Sequence, residues 1–216
     1  MGIVCNEMKF LAFSDFHGLF GLKNHFIDIK KKIKEYEPDF IILCGDFRNR
    51  ASINLLNNRV KSLRLPVFYV WGNDDEVDPS FNLKYGTNMH LKLLQIPGSL
   101  DLFITGIGGD EIDVSNNITI FDKLLNNNLP LNGKIIIISH VPPYTICDKT
   151  IDNKNAGVKK YLEIILKYHP NLVLFGHIHE QFGCMKTINN IIFQNVGVKG
   201  IFIEYINDSF IINIEI

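Results

Sequence analysis

The sequence predicts an α/β domain built from two sheets packed face to face, with helices outside. Three observations predict it. Short apolar runs rich in β-branched residues alternate with stretches of helical spacing over the first two-thirds of the chain. From Gln181 onward, runs separated by Asn and Asp turns read as antiparallel strands. Five of the apolar runs are followed directly by metal-ligating residue types, where open parallel sheets place their chemistry.

Taken in order, Lys9 to Ser14 reads as the first strand, and Leu22 to Tyr36 as a helix with Ile27, Ile29, Ile33 and Tyr36 facing the core. Pro38 stops that helix, and Asp39 to Cys44 forms the second strand. Ser52 is a candidate cap for a helix running to Leu63, with Pro66 before the strand Val67 to Trp71. This β-α-β-α-β order implies parallel strands with right-handed crossovers. Met89 to Ile96 and Leu100 to Ile107 read as adjacent strands joined at Pro97-Gly98. Gly106-Ile107-Gly108-Gly109 reads as a turn rather than a phosphate cradle, because no helix start is recognised close behind it, and Gly109 to Asn117 is expected to be a loop. A helix over Ile118 to Asn127 precedes the strand Lys134 to Ser139, and another over Val158 to Tyr168 precedes Leu172 to Phe175. The remaining strands are Phe182 to Ile188, Ile191 to Val196, Gly200 to Ile206 and Phe210 to Ile214, with hairpin turns at Asn189-Asn190 and Asn207-Asp208.

Composition narrows the class. With 216 residues, 46% hydrophobic and 21% charged, the chain reads as a single soluble domain over residues 1–216. Lys plus Arg number 22 against 23 for Asp plus Glu, so the chain lacks the positive field that long nucleic acids and anionic membranes call for. No apolar run approaches the roughly 18 residues of a membrane span, and no signal-peptide pattern opens the chain. Cys5, Cys44, Cys147 and Cys184 show no paired spacing, so no disulfide is expected and the reducing cytoplasm is the predicted location. Nothing in the sequence fixes an oligomeric state.

The candidate ligands are Asp15 and His17, Asp46, Asn73, His140, and His177 with His179. Two carboxylates, four imidazoles and a carboxamide exceed the needs of one ion and suit two divalent ions, each with an open position. Asp15 and His17 stand two apart, as do His177 and His179, so each pair leaves one face of an extended segment. Gly45 and Gly176 permit sharp turns before the ligands, and Val141-Pro142-Pro143 stiffens the loop after His140. Asn73 can bind an ion through its oxygen while its amide hydrogens face a substrate oxygen. Oxygen and imidazole donors suit manganese, iron, zinc, cobalt or nickel, and manganese is the favoured expectation.

In the order D-x-H, G-D, G-N-x-D, S-H and G-H-x-H, these motifs resemble the calcineurin-like metallophosphoesterase family. His140-Val141-Pro142-Pro143-Tyr144, with Asp148 after it, is most similar to small prokaryotic members. The resemblance implies a four-layer α/β/β/α sandwich of two mixed sheets flanked by helices. It implies one ion on Asp15, His17, Asp46 and His179, and a second on Asp46, Asn73, His140 and His177. It further implies hydrolysis of a small phosphodiester or phosphomonoester by a hydroxide held between the ions. Many members read G-N-H-D, whereas this chain reads Gly72-Asn73-Asp74-Asp75, so Asp74 stands where a histidine would assist the leaving group. An ionised carboxylate is a poor proton donor, which points to good leaving groups or singly charged diesters; the alternative is that Asp74 holds a loop amide. A protein-binding scaffold on the same fold is the contrasting reading, and missing ligands would favour it; none is missing.

Other residues carry milder expectations. Arg48 is a candidate for binding a substrate phosphate or for a surface ion pair. Lys30, Lys31, Lys32 and Lys34 read as a solvated face, and Trp71 as core. His25, His90 and His169 read as surface or locally satisfied side chains.

Overall fold

The computed structural model describes residues 7–47, 53–75 and 83–213, with backbone alone for 18–25, 53 and 54. Arg48, Arg50 and the Ser52 cap lie outside the described residues, as does the side chain of His25. Among the described residues, twelve strands and four α-helices follow the predicted order. The first half contains β1 (Met8–Phe13), α1 (Gly18–Tyr36), β2 (Phe40–Cys44), α2 (Ile53–Leu63), β3 (Val67–Val70), β4 (Thr87–Asn88), β5 (Leu93–Gln95) and β6 (Leu102–Ile107). The second half contains α3 (Glu111–Asn128), β7 (Lys134–Ser139), α4 (Lys159–Tyr168), β8 (Leu172–Phe175), β9 (Met185–Ile188), β10 (Ile191–Asn195), β11 (Ile201–Ile206) and β12 (Ser209–Asn213).

One sheet runs β12-β11-β1-β2-β3-β4 and the other β5-β6-β7-β8-β10-β9. The first has a parallel run β1-β2-β3-β4 with antiparallel pairing on its β11-β12 side, and the second a parallel run β6-β7-β8-β10 with an antiparallel strand at each edge. Two-residue alternation along the central strands explains why the sheets face each other. Phe10, Ala12, Phe40, Ile42, Phe68 and Val70 meet Ile136, Ile138, Leu172 and Leu174 in the core between the sheets. The intervening residues point outward. Leu11, Ile41, Leu43 and Tyr69 pack under α1 and α2, while Ile135, Ile137, Val173 and Phe175 pack under α3 and α4. The result is the four-layer α/β/β/α sandwich, and each fully buried Ile or Leu contributes about 1.5–3 kcal/mol of transfer energy to it.

Helix ends follow local chemistry. α1 and α4 both stop at a left-handed residue, Glu37 and His169, each followed by a proline that cannot continue the helix. Asn189, Asn190, Asn207 and Asp208 all take positive φ, which is what two-residue hairpins require, and they close β9-β10 and β11-β12 where expected.

Four expectations need correction. Ile27 is 60% exposed, and Phe26 takes its place because 26, 29, 33 and 36 form the inward helical stripe. The stretch Met89 to Ile96 is not one strand. β4 pairs with β3 in the first sheet, and β5 with β6 in the second, so the chain crosses between sheets through Leu91 in a left-handed conformation. α3 begins at Glu111, so most of the expected loop Gly109 to Asn117 is helical. Asp110 caps it, with reciprocal bonds between the Asp110 and Asp113 side chains and each other's backbone N–H. Finally, Cys147 and Cys184 form a disulfide, because the loops after β7 and β8 approach to a Cα separation of 5.8 Å although the residues are 37 apart in sequence. Cys44 is free and buried, and burial, followed by the nearby Asp15 charge, holds its thiol well above the ordinary value, consistent with a small core hydrophobe. Trp71 is buried against His90, with ring centroids 4.3 Å apart. Among the described residues, no helix is long and apolar enough to cross a membrane.

Candidate metal centre

Five loops leave the C-terminal ends of β1, β2, β3, β7 and β8 and converge at one edge of the sandwich. Backbone bonds fasten them together. The Asp15 N–H donates to Gly45 O at 3.1 Å, and the His17 N–H to Asp46 O at 3.1 Å, joining the first two loops. Asp75 Oδ2 accepts from the backbone N–H of Asp46 (3.0 Å) and of Gly72 (2.8 Å), joining the second to the third. The His177 N–H faces both Asp15 carboxylate oxygens at 3.2 Å, tying the second sheet to the first. The Gly176 N–H donates to His140 O at 3.0 Å.

The chain takes unusual backbone to do this. Asp15, His17, Asp46 and His177 all have positive φ. Each such non-glycine residue costs on the order of 1–3 kcal/mol and persists only where its surroundings enforce it. Two glycines are required by space. A Cβ on Gly45 would meet Gly72 N at 2.7 Å and His140 Nδ1 at 2.8 Å, and one on Gly176 would strike the Ser14 and Asp15 side chains.

All seven sequence-predicted ligands lie in this cluster. Asp15, His17 and His179 form one group able to hold an ion, and Asp15, Asp46 and His140 another. Asp46 stands between the two halves and is almost fully buried. Its Oδ2 lies 3.8 Å from His17 Nε2 and its Oδ1 3.3 Å from His140 Nε2. Asp15 Oδ1 lies 3.5 Å from His179 Nε2 and 3.8 Å from His17 Nε2. On the other side, His140 Nε2 lies 2.8 Å from Asn73 Oδ1 and 3.2 Å from His177 Nδ1. The first half is open, with the side chains of His17 and His179 35% and 50% exposed, whereas His140 is fully buried.

Charge is balanced tightly. Burial alone would depress His140, but the Asp46 carboxylate, helped by Asp15 and the Cys44 carbonyl, raises it to about 9. Burial likewise opposes ionisation of Asp46, yet the His140 hydrogen bond and charge keep it below its ordinary value. In the metal-free chain a protonated His140 therefore balances the charge of the buried carboxylates. Oxygen and imidazole donors crowded this closely around buried carboxylates fit divalent ions.

Sequence reasoning missed three contributors. Asp75 closes the Gly72-Asn73-Asp74-Asp75 motif, and it is the acceptor that holds two ligand loops together. Asn195, at the end of β10, donates from Nδ2 to Gly176 O (3.2 Å) and Ile178 O (3.1 Å), bracing the loop that carries His177 and His179. Its signal is a polar Gln194-Asn195 pair closing an apolar run. Glu111 Oε1 lies 2.9 Å from His177 Nε2, and this bond is the leading cause holding the Glu111 carboxyl below its usual range. Its signal is the pattern Asp110-x-x-Asp113, which marks a helix start. Asp74 sits at the open half, its Oδ2 3.2 Å from His17 Nδ1 and its N–H donating to Asp46 Oδ1 at 2.9 Å. Asp148 braces the loop after His140 by accepting from the N–H of Thr145 (2.8 Å) and Gly157 (3.0 Å).

Solved structures share this architecture. One crystal structure matches with a TM-score of 0.74 at 18% identity, covering 97% of this chain and 98% of that one. A phosphatase of Mycoplasma pneumoniae matches with a TM-score of 0.58 at 14% identity, covering 96% and 92%. An archaeal phosphodiesterase matches with a TM-score of 0.52 at 14% identity, covering 96% and 100%. At these identities the likeness is one of fold. By sequence, the chain is 26% identical over 169 residues to a 3',5'-cyclic-nucleotide phosphodiesterase of Nostoc sp.; the match covers 73% of this chain but only 62% of that relative's length. The profile of the calcineurin-like phosphoesterase family matches residues 8–181, a span that takes in all five ligand loops, and the chain belongs to that family.

Proposed function

We propose that this protein is a metal-dependent phosphoric ester hydrolase that cleaves a small phosphodiester or phosphomonoester at a site for two divalent ions. Asp15, His17, Asp46 and His179 hold one ion, and Asp46, Asn73, His140 and His177 the other. The observation that carries this reading is the placement of Asp46, whose two carboxylate oxygens face opposite halves of a single cluster. Bound divalent ions neutralise phosphoryl charge and lower the pKa of water toward ~7.

The chain's own residues orient the rest. Asn73 presents its carboxamide oxygen toward His140, leaving its amide hydrogens for a substrate oxygen. Substrate approaches from the side of His17, His179 and Asp74, where the cluster meets solvent. Asp74 adds negative charge there, which disfavours a doubly charged monoester relative to a diester. The phosphodiesterase named among the relatives is in keeping with a diester substrate. Arg48, beyond Asp46 in sequence, is a further candidate for binding substrate phosphate.

The test is hydrolysis of a bis-aryl phosphate diester and of an aryl monoester by chelator-treated protein reloaded with manganese. Activity that appears with metal, disappears with chelator and is greater on the diester is the expected result. No turnover with any of manganese, iron, nickel, cobalt or zinc refutes the hydrolase reading. Asp74→His then probes the leaving group: turnover of alkyl esters should rise more than that of aryl esters. A variant that keeps its metals and gains on neither class would mean that Asp74 serves only His17.

A further inference from the structure

We propose that Glu111 is a positioning residue that fixes the ring of His177 so that Nδ1 faces the metal centre. This rests on the metal-dependent reading above. A neutral imidazole has one donor nitrogen and one acceptor nitrogen, and an ionised carboxylate only accepts. With Glu111 Oε1 at 2.9 Å, His177 Nε2 must therefore carry the hydrogen, and the Nδ1 lone pair points inward, 3.2 Å from His140 Nε2.

The same logic holds behind two other rings of the cluster. His140 Nδ1 lies 2.8 Å from the Cys44 carbonyl, an acceptor only, which leaves His140 Nε2 facing inward. His17 Nδ1 lies 3.2 Å from Asp74 Oδ2, which leaves His17 Nε2 facing inward. Each ring is backed by an acceptor from a different element, and α3 supplies the one for His177. A partner behind a ligating imidazole sets its tautomer, orients it and raises its basicity.

α3 is built to hold that carboxylate still. The Gly109 N–H donates to Trp71 O at 2.9 Å, and the Gly108 N–H to His90 Nδ1 at 3.0 Å, pinning the helix start to the end of β3, two residues before Asn73. The reciprocal Asp110–Asp113 cap then fixes the first turn. Glu111 occupies the first helical position, where the helix dipole favours a negative side chain. Its outer surface lines an open cavity of about 390 Å³ together with Ser115, Asn155 and Lys159. The half-exposed carboxylate thus stands between the His177 ring and solvent-accessible space.

Two measurements test the proposal with the full chain. Two-dimensional nitrogen–proton NMR of the metal-free protein reads the His177 tautomer directly: Nε2–H is expected in the wild type and a mixture in Glu111→Ala. Calorimetry with manganese alone should show roughly 10- to 100-fold weaker binding at one site of Glu111→Ala, with Glu111→Gln, which keeps an acceptor oxygen, close to wild type. Wild-type affinity in Glu111→Ala, or an Nδ1–H tautomer in the wild-type protein, overturns the proposal. So does Glu111→Gln no better than Glu111→Ala, the behaviour of a direct charged ligand. If the wild type binds no divalent metal at all, the hydrolase reading fails, and the NMR measurement still decides whether Glu111 sets the ring.

Discussion

Replacing Asp46 with Asn keeps the shape of the side chain and removes one buried charge from the centre of the cluster. In the chelator-treated protein that charge is what keeps His140 protonated. The rise from 6.5 to about 9 corresponds to about 3 kcal/mol of preference for the imidazolium in the folded chain, won against burial chiefly by the Asp46 carboxylate. The folded value lies above the unfolded one, so this contribution is complete below pH 6.5 and is lost as pH rises through about 9. Asp46 itself is held below its ordinary value and stays ionised across that window. Asp46→Asn should therefore unfold more easily than wild type at pH 6, by about 3 kcal/mol, and the gap should close by pH 10. Urea unfolding of both proteins at the two pH values measures it. With metal restored, Asp46→Asn should lose occupancy at both sites, whereas His179→Ala should chiefly affect one; metal analysis of the purified variants separates them. An unfolding difference that is the same at pH 6 and pH 10 refutes the charge pairing. Retention of two ions per chain at full activity refutes the bridging role.

Three further outcomes follow from single contacts. Asp75→Ala deletes the acceptor shared by the Asp46 and Gly72 amides, and a loss of about 2–4 kcal/mol should appear as a lower melting temperature of the metal-free protein. His90, depressed to about 4 by burial first and then by Lys92, is neutral when folded; its contribution is full above pH 6.5 and lost as pH falls through 4, so His90→Gln should flatten the stability loss between those values, an effect of about 2 kcal/mol in urea titrations once solvent screening at this partly exposed ring reduces the roughly 3 kcal/mol of the full shift. The Cys147–Cys184 bridge closes a 37-residue separation, and the Cys147→Ser, Cys184→Ser double variant should be about 2–4 kcal/mol less stable than the oxidised wild type, with peptide mapping under non-reducing conditions checking that the bridge is present.

What the sequence made legible was the local part of the design. Lys134 to Ser139 and Leu172 to Phe175 form strands with the expected bounds, because apolar β-branched runs ended by Ser-His or Gly-His admit few other readings. The five ligand motifs were visible for the same reason. The rest depends on distant pairing. That β11 lies antiparallel beside β1, closing the first sheet, is a contact across most of the chain with no local signature. The disulfide was hidden likewise, since Cys147 and Cys184 meet only once β7 and β8 are neighbours in space. The start of α3 has little apolar signature because Ile112 is exposed and the inward stripe of Val114, Ile118, Phe121 and Leu125 begins only at the fourth residue of the helix. That weak signature concealed Glu111, although the capping pair that announces the helix is written in the sequence.

The site concentrates energetic costs that a purely structural cluster would avoid. Four ligand residues sit in left-handed backbone, two carboxylates are buried side by side, and His17 Nε2 lies 2.8 Å from His179 Nε2. In that last contact only one nitrogen can carry the shared hydrogen. With Asp74 accepting the hydrogen on Nδ1 of a neutral His17 ring, His179 is the donor in this contact. An ion held by these two rings would take both Nε2 lone pairs, so the shared hydrogen, like the second proton on His140, would have to leave as it bound. The cluster is thus held open by protons and backbone amides, at a cost to the metal-free fold that ion binding offsets. Stabilisation by bound ligand grows with concentration, reaching about 2.7 kcal/mol at a hundredfold excess over its dissociation constant. The same crowding of carboxylates, imidazoles and left-handed backbone that costs the metal-free fold is what a site for divalent cations requires.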